Sequence, residues 1–316
     1  MPRVVTISAP SRLHFGLYAF GGAGRQYGGV GAMIAEPRLR LEITEADEFR
    51  VVGPLAERAA EFTRRWAKFQ LQPLRCAIQI IETPPEHTGL GVGTQLGLSI
   101  AAGLNAFHGL PAAGPLELAM SVGRGLRSAV GTYGFLQGGL IAERGKLPHE
   151  PLSPLDLRVD LPSTWRFALF QPPAAPGLAG GEEEQAIASL PPVPQHVTNK
   201  LIAIAQDELF PAAAQGDFAA FSDSLYRYGT LAGQCFAPRQ GGPFNGPLLT
   251  RLVQTLRDLG LVGAGQSSWG PTIFAICPDE PSATDCIQRF QHVWRESTVV
   301  CRITPPTNSG AEIQVS

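Results

Sequence analysis

Residues 4–8 (VVTIS) read as a strand, and residues 39–44 (LRLEIT) alternate like a half-buried one. The segment between them is dense in glycine. Leu55, Ala59, Phe62, Trp66 and Phe69 recur at helical spacing, after which Cys76, Ile78 and Ile80 return to a period of two. Residues 84–95 (PPEHTGLGVGTQ) leave that strand and enter a segment where Leu96, Ile100, Leu104 and Phe107 form one apolar stripe, which predicts a loop delivering the chain to a helix N-terminus. A second helix is expected over 115–122, then a loop from 123 to 134 and an apolar strand over 135–142.

Residues 147–162, rich in Pro, Leu and Asp without clean periodicity, read as a linker and divide the chain into domains 1–160 and 161–316. Beyond it the pattern predicts a strand at 165–170, helices near 183–190, 196–210, 217–233 and 246–259, a strand at 272–277, a helix at 283–294 and a strand at 299–303. A few strands backed by helices make an α+β layer, not a doubly wound sheet.

Composition narrows the function classes. With 316 residues, 44% hydrophobic and 16% charged, the chain is neither a disordered tail nor, with 36 Gly and 28 Pro, a collagen-like repeat. Its length favours two domains. A formal charge of −2 supplies no global field for nucleic acid or an anionic membrane, so an anionic ligand has to be held locally. Cys76, Cys235, Cys277, Cys286 and Cys301 are odd in number and scattered, and read as reduced core thiols. The chain shows no basic start before a long apolar run and no membrane-length apolar stretch, so a cytoplasmic protein is expected.

Gly89, Gly91 and Gly93, followed by Thr94 and Gln95, carry the strongest local signal. Residues without Cβ let backbone approach a ligand closely while N–H groups at a helix start point outward, an anion seat; a tight helix–strand turn is the plainer alternative. The spacing fits neither a Walker loop nor a Rossmann turn. A second turn, residues 263–271 (GAGQSSWGP), offers Gly265, Gln266, Ser267 and Ser268 as donors, or is simply a hairpin. Arg12 and His14 share one face if the chain is extended, while Arg124, Arg127 and Ser128 lie in a Gly-flexed loop. His87 adjoins the anion loop; His108, His149, His196 and His292 have no accompanying motif. Glu182, Glu183 and Glu184 read as dipole-favoured helix initiation, with metal ligation the alternative.

Taken together, APSRLHFGLY, GGAGRQYGGVG, PPEHTGLGVGTQLGLSIAAGL, GRGLRSAVGTYGFLQGG, WRFALFQP, GGEEE and GAGQSSWGP resemble the β-ribofuranosylaminobenzene 5′-phosphate synthase family, a branch of the GHMP small-molecule kinase superfamily. The resemblance spans nearly the whole chain. It implies a GHMP-kinase-like two-domain α+β fold, an N-terminal α/β domain resembling that of a ribosomal protein plus a C-terminal ferredoxin-like domain. It also implies condensation of phosphoribosyl pyrophosphate with 4-aminobenzoate or 4-hydroxybenzoate, releasing carbon dioxide and pyrophosphate, for tetrahydromethanopterin-type cofactors. Under it, magnesium shares the pyrophosphate charge, the 89–95 loop with Ser267 and Ser268 seats the pyrophosphate, and Arg12, Arg124 or Arg127 holds a carboxylate or 5′-phosphate. His14 or His87 then donates a hydrogen bond. A homodimer stays open. The alternative is an ATP-dependent kinase of the same superfamily. Such kinases often carry an Asp about eight residues before paired glycines that match Gly138 and Gly139; this chain has Val130 there, and no acid from 121 to 141.

Overall fold

The computed structural model describes residues 3–173, 177 and 180–316. Strands β1 (Val4–Leu17) and β2 (Gly29–Glu45) run antiparallel along nearly their whole length, from Val4 opposite Thr44 to Leu17 opposite Gly29. The strand expected to stop at residue 8 therefore continues through Arg12 and His14. Register shifts between Ala9 and Ser11 and between His14 and Gly16 bend β1, as bulges do, and re-aim its side chains.

After β3 (Arg50–Val52) comes α1 (Ala56–Gln70), which buries Ala59, Phe62 and Trp66 as its periodicity predicts, whereas Phe69 is left 43% exposed. Strand β4 (Cys76–Glu82) pairs with β2 and β3. Helix α2 (Val92–Phe107) starts from Gly91, whose φ of 74° favours glycine, and lies under β1 and β2, where Gly103 abuts Ile7 and Ile43. The short α3 (Pro115–Ser121) follows as expected.

Two expectations fail in the next stretch. Residues 130–137 form a helix, α4 (Val130–Gln137), and the strand shortens to β5 (Leu140–Glu143). The glycines that read as a loop serve close packing: a Cβ on Gly134 would stand 2.2 Å from Met33 Sδ, and one on Gly131 3.2 Å from Thr94 Cγ2. The supposed linker contains β6 (Leu155–Val159), an edge strand beside β5.

Next come β7 (Arg166–Gln171), α5 (Gly180–Ala188), α6 (Gln195–Ala203), a π-helical turn at Ile204–Leu209, α7 (Phe210–Gln215), α8 (Phe218–Gln234), α9 (Ala237–Gln240) and α10 (Gly246–Asp258). The chain closes with β8 (Ala264–Gln266), β9 (Ile273–Cys277), α11 (Glu280–Val293), β10 (Val300–Thr304) and β11 (Glu312–Val315). The order β10-β7-β9-β8 is antiparallel with first and third strands central, the ferredoxin-like arrangement. Strand β11 returns to pair with β1, so among the described residues the first sheet has seven strands and 161–316 is not one continuous unit.

A core shared by the two sheets runs from Leu13, Val30 and Leu140 through Phe167 and Phe274 to Phe221 and Tyr228 of α8. Separate clusters fill the space under α1–α3 and under α10–α11. Because the two units share one apolar core, the groove between them is held in a fixed shape.

Candidate active site

Arg12 and His14 stand two residues apart on β1 and line a cavity of about 500 Å³ at the junction of the two sheets. The Arg12 amide donates to Leu90 O at 3.0 Å and its Nη1 to Gly89 O at 3.3 Å, while Gly91, lacking a side chain, lets the guanidinium lie against the start of α2. The second Gly-rich turn closes from the other side. Ser267 Oγ donates to Gly89 O at 2.7 Å and accepts the His14 amide at 3.0 Å, and the Ser268 amide donates to His14 O at 3.0 Å. Both predicted turns therefore converge on β1.

Arg124 reaches the same end of the cavity, its Nη2 donating to Thr94 Oγ1 at 3.0 Å. Burial lowers both Arg12 and Arg124 to about 10, neighbouring guanidinium groups adding to the effect on Arg124. Among the described residues neither makes an ion pair, and each has a buried Nε without a partner. Two desolvated cations without an ion-pair partner, eased only by the more distant fields of Glu183 and, for Arg12, Glu143, are costly in the free protein and suit an anion beside a helix N-terminus. Arg127 differs, because Glu183 already holds it at 2.6 Å and Trp269 Nε1 donates to the same carboxylate at 3.2 Å. Glu183 is thus a counterion in the wall rather than merely a helix starter.

Behind His14 lies a carboxylate that the sequence pattern did not single out. Glu143, at the end of β5 and wholly buried, accepts Ser128 Oγ–H and, at 2.7 Å, the Ala129 amide. Ser128 Oγ meets His14 Nε2 at 3.1 Å, and His14 Nδ1 accepts the Gly16 amide at 3.2 Å. That last bond places the His14 proton on Nε2, so the chain of donors runs His14 to Ser128 to Glu143. Burial and then the Arg12 charge hold His14 well below the usual imidazole range, and burial pushes Glu143 up to about 7. The only sequence signal was a lone acid closing an apolar strand just after Gly138-Gly139.

Several expected residues do other work. His87 is exposed, has a φ of 59°, and is not among the cavity lining. Gly89, Gly91, Gly93 and Gln95 also stay out of the wall: Gly89 faces the Ser267 backbone, Gly93 lies under the Arg58 guanidinium that pairs with Glu86, and Gln95 donates to Gly131 O at 3.0 Å. Gly265 packs on Phe274 and Ser267 is wholly buried, a staple between turns rather than a free donor. Thr94, Ser128, Gln266 and Ser268 do line the cavity, with Arg12, His14, Arg124 and Arg127. The opposite wall is aromatic, Phe236 meeting Trp269 edge-on at 5.0 Å. Where the kinase Asp would stand, Val130 is wholly buried and Gly131 presses on Thr94. Among the described residues no helix is long and apolar enough to cross a membrane.

This pairing of a long-stranded α/β unit with a ferredoxin-like one is the GHMP kinase scaffold. The family model for the C-terminal part of GHMP kinases matches residues 209–296. Homoserine kinase from Cytophaga hutchinsonii superposes with a TM-score of 0.71, covering 98% of this chain and 97% of that one at 14% identity. Mevalonate diphosphate decarboxylase from Enterococcus faecalis superposes with a TM-score of 0.67 over 100% of both chains at 12% identity. At such identities the likeness establishes fold alone. Sequence relatives are nearer. The beta-ribofuranosylphenol 5'-phosphate synthase of Methanothermobacter thermautotrophicus is 30% identical over 298 residues, 87% of this chain and 89% of the relative. Its namesake from Archaeoglobus fulgidus is 26% identical over 99% of this chain and 100% of its own length. The chain belongs to the beta-ribofuranosylphenol 5'-phosphate synthase family.

Proposed function

We propose that this protein condenses phosphoribosyl pyrophosphate with 4-hydroxybenzoate, giving an aryl C-riboside 5′-phosphate, carbon dioxide and pyrophosphate. The observation that carries the reading is the pair of half-buried guanidinium groups, Arg12 and Arg124, that make no ion pair among the described residues beside the start of α2. A leaving pyrophosphate gains charge as ribose C1 becomes oxocarbenium-like, and fixed cations in a desolvated site stabilise that change most. The relatives' shared name contains a phenol, which favours the hydroxy acid over the amino acid. The aromatic wall at Phe236 and Trp269 offers an edge and a face to a benzoate ring.

The ring attacks through its carboxyl-bearing carbon, and loss of carbon dioxide restores aromaticity. Holding the two reacting carbons in line supplies much of the acceleration, on the order of 7–11 kcal/mol in favourable intramolecular cases. Arg127 is suited to the benzoate carboxylate: Glu183 already shares its charge, so its grip is weak enough to let the carboxylate depart as neutral carbon dioxide. Magnesium belongs with the substrate in this reading. Among the described residues no three His, Cys, Asp or Glu side chains converge on a metal position, whereas phosphate oxygens commonly carry Mg²⁺. The product would supply a tetrahydromethanopterin-type one-carbon cofactor.

Parallel incubations test the assignment: phosphoribosyl pyrophosphate with aryl carboxylates, and ATP with small alcohols. Equal release of carbon dioxide and pyrophosphate in the first is expected. ADP formation in the second, with none of those products in the first, would replace this reading with the kinase one.

A further inference from the structure

Among the described residues Glu143 is the one carboxylate coupled to the cavity from behind its wall. Glu183 is committed to Arg127 and Trp269, and Glu184 stands exposed at the mouth. Among the described residues Glu143 makes no ion pair, and its contact with the cavity passes through Ser128, a hydroxyl that lines the wall. Ser128 Oγ accepts from His14 Nε2 at 3.1 Å and, more loosely, from the Val130 amide at 3.3 Å, while its own proton goes to Glu143. An incoming hydroxyl needs to displace only the longer bond to donate there. A carboxylate substituent would meet a buried negative charge at that place; a neutral O–H finds an acceptor leading to a base.

We propose that Glu143, acting through Ser128, takes up the proton of the para-hydroxyl group of the aromatic substrate held in this cavity. The proposal rests on the condensation reading for its chemistry. As the phenolic O–H bond breaks, its proton passes to Ser128 Oγ and the Ser128 proton passes to Glu143. The released electron pair moves through the ring, the carboxyl-bearing carbon bonds to ribose C1, and the C1–O bond breaks with its electrons leaving on pyrophosphate. Breaking the ring–carboxylate bond then expels carbon dioxide, and its electron pair returns to the phenolic oxygen, which recovers the proton from Glu143 through Ser128. An arylamine pushes electrons without losing a proton, so it depends less on this route.

The surroundings of Glu143 suit a base that works near neutral pH. The charged and titratable groups whose fields it shares are Arg12 on β1, Tyr18 just past β1, Tyr133 on α4 and Tyr228 on α8. Burial pushes all three phenols up, so they remain neutral, and His14, reached through Ser128, is held neutral as well. Arg12 is the only full charge among them. Glu143 itself sits up at about 7, close to the operating pH that favours general-base catalysis.

The test compares turnover of 4-hydroxybenzoate and 4-aminobenzoate by wild type, Glu143→Gln and Ser128→Ala, the second variant standing in should the first fail to fold. The ratio of hydroxy-acid to amino-acid kcat should fall about 100-fold in either variant, within the range of a lost general base. In wild type, kcat for the hydroxy acid should decline below about pH 7, an acidic limb that the amino acid lacks and Glu143→Gln removes. Calorimetric binding of 4-hydroxybenzoate against 4-methoxybenzoate, which has no proton to give, needs no turnover: wild type should prefer the hydroxy acid and Glu143→Gln should not. An equal fall in both turnovers, or the same hydroxyl preference in variant and wild type, overturns the proposal. Wild type that turns over neither acid but shows a Glu143-dependent hydroxyl preference would overturn the condensation reading and still support proton acceptance by Glu143.

Discussion

Arg12 and Arg124 set function against stability. Burial costs each guanidinium part of its hydration and lowers it to about 10, a displacement worth on the order of 3 kcal/mol. Arg124→Gln should therefore melt at a higher temperature than wild type while kcat/KM for phosphoribosyl pyrophosphate falls about 100- to 1000-fold. Calorimetry and steady-state kinetics on one preparation check both signs, and a variant that loses stability as well as activity would contradict the picture of a desolvated charge without an ion-pair partner. His14 and Glu143 make a second opposed pair. The lowered His14 disfavours folding as pH falls below about 6.5, where the unfolded chain takes up a proton that the native one refuses. The raised Glu143 does the reverse: the native state holds a proton that the unfolded chain has released between 4.5 and about 7, so stability is lost as pH rises through that window. The two slopes oppose each other in wild type. Relative to wild type, Glu143→Gln should lose stability on acidification from pH 7 to 5 and His14→Gln should gain it, each by up to about 1.4 kcal/mol per pH unit, read from urea melts at several pH values. Of these residues Arg12, His14, Arg124 and Ser128 were legible from short spacing and Gly-rich context. Glu143 was not, because its partners lie 14 and 15 residues away in sequence and are brought to it by the α4–β5 turn.

At the scale of elements, amphipathic periodicity found what one-sided burial creates: α1, α8, α10 and α11 each bury one face and lie within a few residues of their predicted spans. It failed where packing overrides local preference. The α4 sequence, VGTYGFLQ, is poor in helix formers, and its helix stands because Gly131 and Gly134 let it press onto α2 and β2. Strand β11, separated from its partner by nearly the whole chain, left no local signal. The glycines also show where elements touch most closely. A Cβ on Gly16 would stand 2.3 Å from Ala232 Cβ of α8, at a φ of 145° that other residues rarely adopt, and Gly16 O accepts the Tyr228 hydroxyl at 2.9 Å. Gly16→Ala should therefore destabilise by at least about 2 kcal/mol and pull α8 from β1, with a lowered denaturation midpoint as the measurement. A wild-type-like midpoint would show that α8 has slack against β1.

Across the whole molecule, the shared core between the two sheets fixes the distance between the two Gly-rich turns, one preceding α2 in the first unit and one preceding β9 in the second. Their convergence was legible in the sequence only through the family resemblance; what each glycine does there was not, because a residue without a side chain reads alike whether it faces a ligand or another backbone. The proposed reading puts the anion seat at the guanidinium groups that the glycines let in, not at the glycines themselves. A crystal structure with phosphoribosyl pyrophosphate bound measures this directly. The diphosphate should lie within hydrogen-bond distance of both Arg12 and Arg124, with ribose C1 turned toward the wall of Phe236 and Trp269. A diphosphate held elsewhere, with Arg12 and Arg124 still free of anionic contact, would contradict the account.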